Sequence, residues 1–136
     1  MQDFICLKEV RYFDTMENNM SFGQQGEVAA QEYLKSNGFT ILHTNWRWGH
    51  KELDIVAAKG AKLHVVEVKT RSANFLVSPQ QSVDRRKQQH TVSAANAYVE
   101  KYNVNKDVQF DVISVVVKGG DCTVEYLPEA FYPTAR

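Results

Sequence analysis

The chain has 136 residues, enough for one domain with one core, since much shorter pieces struggle to bury sufficient surface. Hydrophobic residues make up 43% and charged residues 24%, which excludes long disorder. The 16 basic residues balance the 16 acidic ones, so any nucleic-acid contact must come from a local patch rather than a global positive field. Cys6 and Cys122 stand alone without metal-ligand spacing, which points to a reducing compartment and a cytoplasmic protein. No apolar stretch approaches the roughly 20 residues that span a membrane, and the acidic start lacks the apolar region of a signal peptide.

In chain order, residues 1–20 read as an N-terminal extension and 21–136 as the domain proper. Within the extension, Phe4, Ile5, Cys6 and Leu7, then Val10, Tyr12 and Phe13, suit a strand or a partner-dependent arm; Met16 and Met20 are candidate alternative initiators. Ser21 can cap a helix over 22–37, where Val28, Ala29, Tyr33 and Leu34 recur at helical spacing and Gly38 follows the last turn. Residues 39–44 read as a short strand and 45–51 as a turn.

Strands over 53–58 and 62–70 form a hairpin through Lys59-Gly60. After Ser78 and Pro79, the spacing of Val83, Thr91, Ala94, Ala95, Tyr98 and Tyr102 predicts a helix over 80–101. Strands over 110–118 and 122–127 flank the Gly119-Gly120 turn. This αβββαββ order favours an α/β or α+β sandwich with a mixed central sheet.

Strand side chains alternate, so Glu67 and Lys69 emerge on one face, with Arg71 continuing the series. Asp54 interrupts the neighbouring apolar run, and the hairpin brings it beside Glu67. Two carboxylates suit a Mg²⁺ or Mn²⁺ ion whose remaining positions go to water and phosphate oxygens. Lys69 can then neutralise charge developing on the phosphate, or orient the attacking water.

An acid two residues before a lysine arises by chance in a chain this long. What lifts Glu67 and Lys69 is their place in apolar runs, where an unpartnered charge is costly; that favours a catalytic site over a structural salt bridge. Glu52 shares the Asp54 face and is either an additional acid or a residue at the strand mouth. From its own surroundings, Glu27 is a carboxylate near a helix start, favourable to the helix dipole.

Arg71, Arg47 and Lys87 are candidate phosphate contacts, whereas Arg85 and Arg86 fit a solvated helix start. Trp46, Arg47 and Trp48 suit either stacking on unpaired bases or core packing. His43, His50, His64 and His90 show no metal-binding pair, and His64 points away from Glu67. Asp111 reads as a partner for a helix residue.

The segments Gly23-Gln-Gln-Gly-Glu27-Val-Ala-Ala, Asn45-x-Arg47, Glu52-Leu-Asp54-Ile-Val, Val65-Val-Glu-Val-Lys-Thr-Arg71 and Phe110-Asp-Val-Ile together resemble the YraN family of bacterial proteins over residues 22–117. That family is placed in the PD-(D/E)xK nuclease-like superfamily and is similar in outline to archaeal Holliday junction resolvases. The resemblance implies a restriction-endonuclease-like mixed sheet flanked by helices, and a metal held by Asp54 and Glu67 with the Val68 carbonyl, Glu27 being either a further ligand or a group that contacts the ligands. Lys51 departs from the family pattern, where a glycine commonly precedes Glu52.

The expected function is therefore a metal-dependent endonuclease, with branched DNA as one candidate substrate and DNA favoured over RNA. The alternatives are a non-catalytic nucleic-acid-binding module of the same fold and an interaction protein; a homodimer stays open and no membrane partner is expected.

Overall fold

A computed structural model describes residues 20–73 and 85–133, together with the backbone of 6–11. In chain order the elements are β1 (Cys6–Arg11), α1 (Phe22–Ser36), β2 (Thr40–Trp48), β3 (Lys51–Lys59), β4 (Lys62–Ser72), α2 (Arg85–Lys101), β5 (Asp107–Lys118) and β6 (Asp121–Phe131). They build one six-stranded sheet in the order β1-β6-β5-β4-β3-β2. Every neighbouring pair is antiparallel except β4 with β5. Parallel neighbours need a crossover, and the segment carrying α2 supplies it.

Helix α1 starts where Ser21 and Gln24 close a reciprocal capping box: the Gln24 N–H donates to the Ser21 hydroxyl, and the Ser21 N–H to Gln24 Oε1. Ala29, Ala30, Tyr33 and Leu34 bury one stripe of it against Ile55, Val66, Ile113 and Val124. Helix α2 covers the opposite face, where Ala94, Ala95 and Tyr98 pack on Val56, Val65, Val112 and Leu127. Strand β5 is covered on both sides, which explains its valine-rich sequence and its burial without alternation from Phe110 to Val115. Tyr102, expected on the core face of α2, is 42% exposed instead.

Two expectations shift. Residues 45–51 do not form a turn: β2 runs to Trp48 and only Gly49 and His50 lie between the paired ends Trp48 and Lys51. Gly49 at φ 65° makes so tight a connection feasible. Cys6–Arg11 is a strand paired with Asp121–Tyr126 at the sheet edge, while residues 1–5 and 12–19 and the first turn expected of the second helix, 80–84, lie outside the described residues.

Candidate active site

Strands β3 and β4 pair in register up to Ile55 with Val66. One step further, Asp54 faces Glu67, and here the ladder gives way to a side chain: the Val68 N–H donates to Asp54 Oδ2 at 2.9 Å. In an extended strand, the N–H and C=O of one residue face the same neighbour, so the Val68 carbonyl is turned toward β3 as well. The Asp54 carboxylate thus occupies the point where the two strands part.

Glu67 is only 4% exposed. Its Oε2 lies 3.2 Å from Lys87 Nζ and 3.9 Å from Lys69 Nζ. The alternation expected of β4 is therefore present, because Lys69 shares the Glu67 face, which is the α2 face. Lys87, read from sequence as a phosphate contact, is the nearer ammonium. It lies twenty positions downstream on the first turn of α2, and no local pattern links it to Glu67.

Burial raises the Glu67 carboxyl to about 7, and the neighbouring Asp54 charge pushes the same way against the opposing pull of Lys87 and Lys69. Burial also raises Asp54, against the Val68 N–H and Lys87, with Glu52 adding to the rise. Burial works against the charge on Lys87, but Glu67, then Asp54 and Glu52, outweigh it and raise its pKa. The cluster is a pair of carboxylates that resist ionising together, held by two ammonium groups.

Glu27 lies in the second turn of α1, past the first turn where the helix dipole acts, so the dipole reading does not hold. It reaches the site through packing. Gly26 lies so close to β4 that a methyl built there would overlap the Thr70 side chain. At that approach Glu27 Oε1 accepts from Asn45 Nδ2 at 3.3 Å. Asn45, in the left-handed region at φ 53°, falls opposite Asp54 in the β2–β3 register. Burial raises the Glu27 carboxyl, Asn45 lowers it, and Asp54 and Glu52 raise it further.

Asn45 was overlooked as a site residue. Its signal was an amide residue, tolerant of left-handed backbone, just ahead of Trp46. Arg47 pairs with Glu52 across β2 and β3, and Arg71 is half-buried near the end of β4.

Among the described residues, no three His, Cys, Asp or Glu side chains converge at metal-holding spacing. An ion here would draw on Asp54 and Glu67 with a main-chain oxygen and water, an all-oxygen set that fits a hard divalent cation. Such a cation would relieve the mutual repulsion of the half-buried Asp54 and the buried Glu67.

His64 points away from Glu67 as expected; its ring meets Phe39 edge-on at 4.9 Å. Among the described residues, Asp111 pairs with no helix residue. It accepts instead from Gln109 Nε2, Tyr126 Oη and the Glu129 N–H, and lies 2.7 Å from His64 Nδ1. A buried carboxylate needs several donors, and three adjacent strands provide them.

The sheet order and flanking helices define an α/β protein with a restriction-endonuclease-like mixed sheet. Residues 26–115 match the model described as "Uncharacterised protein family UPF0102". The chain belongs to the UPF0102 family, which is the YraN family of the sequence resemblance.

Among its relatives, a UPF0102 protein of Parabacteroides distasonis is 43% identical over 89% of this chain and 100% of its own length. Another, from Bacteroides thetaiotaomicron, is 45% identical over 87% of this chain and 98% of its own. A third, from Flavobacterium psychrophilum, is 38% identical over 86% and 98%. Among the described residues, no helix is long and apolar enough to cross a membrane.

Proposed function

We propose that the chain is a metal-dependent endonuclease that hydrolyses nucleic-acid phosphodiester bonds. The observation that carries this reading is the convergence of the half-buried Asp54 and the buried Glu67 with Lys69 and Lys87 where β3 and β4 part. Asp54 and Glu67, with Glu27 and the Val68 carbonyl beside them, are the groups to hold Mg²⁺ or Mn²⁺. Bound there, the ion supplies Lewis-acid polarisation of the phosphate and a water acidic enough to attack.

The chain's own groups do the rest. The Val68 N–H fixes the Asp54 carboxylate. Lys69 brings positive charge to the non-bridging phosphate oxygens as the water oxygen bonds to phosphorus and one P–O ester bond breaks. The proton lost by water is balanced by the one the leaving oxygen takes up. Lys87 holds Glu67 in place, and Arg71 and Arg47 are phosphate contacts. DNA, branched forms included, is the proposed substrate, and the cytoplasm the proposed compartment.

A non-catalytic nucleic-acid-binding module is the second reading, because the Lys87–Glu67 pair satisfies that carboxylate without an ion. Incubation of plasmid, flap and four-way-junction DNA with Mg²⁺ or Mn²⁺ separates the two. Wild type should cut, with Asp54→Ala and Lys69→Ala slower by about 100-fold or more. Equal rates in all three reject the site, and binding in EDTA without turnover in metal selects the second reading.

A further inference from the structure

Beside the carboxylate site, the edge strand β2 and the outer stripe of α2 enclose an open groove of about 1160 Å³. Trp46, Arg47 and Trp48 form one wall and Ser93, Ala97 and Tyr102 part of the other. The aromatic groups differ in role. Trp46 is half-buried and meets Tyr98 edge-on at 5.1 Å, so it anchors the wall. Trp48 is 47% and Tyr102 42% exposed, which leaves ring surface open to a partner.

We propose that this groove is a stacking cleft for unpaired nucleotides, one that guides a single-stranded segment of nucleic acid toward Asp54 and Glu67. The inference rests on the nucleic-acid reading of that site and specifies its substrate as a junction between paired and unpaired strand.

Three observations favour this occupant. Cations are interleaved with the rings: Lys51 Nζ lies 5.2 Å from the Trp48 ring centre and Lys101 Nζ 5.9 Å from that of Tyr102. Arg47 and Lys101 line the groove together with Glu100, and Lys51 adds its charge at the Trp48 ring. Rings that accept any base, bordered by cations that follow the backbone, are the chemistry of single-strand binding. The core of a protein–protein interface is depleted of charge, so a second copy fits this mixed lining less well.

The β2–β3 hairpin and α2, which line the groove, also carry groups of the candidate site. Arg47 pairs with Glu52, two residues from Asp54, and on α2 the stripe formed by Ser93 and Ala97 runs back through His90 to Arg86. At its midpoint the rings of His90 and His50 lie 6.0 Å apart, joining the β2–β3 turn to the helix.

Trp46 and Trp48 are the two tryptophans of the chain, so quenching of tryptophan fluorescence reports on this groove. The full chain in EDTA and low salt is titrated with a single-stranded oligothymidine, with oligouridine, and with a blunt duplex. Either single strand is expected to quench, and comparison of the two tells DNA from RNA; the duplex is not. Trp48→Ala and Tyr102→Ala should each weaken oligothymidine binding about 5- to 100-fold, read by anisotropy of a labelled strand, and Trp48→Phe should restore most of it.

Equal quenching by duplex and single strand overturns the cleft, as does unchanged affinity in both alanine variants when circular dichroism shows them folded. Oligothymidine that fails to quench, with Trp48→Ala converting a dimer to a monomer on gel filtration, assigns the groove to a second copy instead. Because EDTA removes turnover, the cleft can fail while metal-dependent cutting survives, or stand where no cutting is found.

Discussion

Glu67 shows how burial, rather than residue type, makes a carboxyl useful. Left in solvent it would ionise near 4.5; folded, with Asp54 beside it and Lys87 and Lys69 opposing, it does so at about 7. A carboxyl raised on folding binds its proton more tightly in the native state. Its contribution to stability is therefore present below 4.5 and is lost as the pH climbs through about 7. Glu67→Gln stays neutral throughout and can still accept from Lys87. In EDTA it should exceed wild type in stability at about pH 8 by roughly 1–3 kcal/mol, the difference closing toward pH 5. Calorimetry at both values checks this, and a difference independent of pH would contradict the raised Glu67.

At the level of elements, two glycines of α1 make a controlled comparison. Gly23 has open space around it, whereas a methyl at Gly26 meets Thr70 of β4. Gly23→Ala should therefore stabilise by about 0.5–1 kcal/mol through helix propensity. Gly26→Ala should instead lower stability by about 1–3 kcal/mol, because the helix must lift from the strand. That lift carries Glu27 away from Asn45, so cleavage by Gly26→Ala should fall more than its loss of folded protein explains. Thermal melts of both variants, with rates measured well below the melting point, decide it.

The strands were legible where their two faces differ. Val66, Glu67, Val68 and Lys69 alternate, and the structure keeps that alternation: Val66 and Val68 join the α1-side core while Glu67 and Lys69 meet on the other face. Asn45 and Gly49 give residues 45–51 the composition of a turn, so the sequence shows only the first part of β2 as a strand. Asn45 does adopt turn-like backbone, but within a strand whose partner β3 continues past it.

For the whole molecule, the Asp111 network joins β4, β5 and β6 in one buried cluster. Burial and the Asp111 carboxylate both push the Tyr126 hydroxyl pKa upward, so it stays a donor. Asp111→Ala leaves that hydroxyl, the Glu129 N–H and His64 without their acceptor. A loss of about 3 kcal/mol or more is expected by denaturant titration. Cleavage by the fraction still folded should change little, since Asp111 contacts neither Asp54 nor Glu67 in the hydrogen bonds and ion pairs of the site.

The sequence by itself determined the element order from α1 onward, the two buried helix stripes and the shared face of Glu67 and Lys69, because helical and strand periodicities are local properties of the chain. It also marked Asp54 as a charge in an apolar run. Only the tertiary structure decided that Lys87 is the closer ammonium to Glu67, that Asn45 holds Glu27, that Asp111 serves three strands, and that Trp48 and Tyr102 face a common groove. Each of these joins residues far apart in the chain, and such contacts depend on how the sheet twists and where the helices settle on it, which no periodicity records.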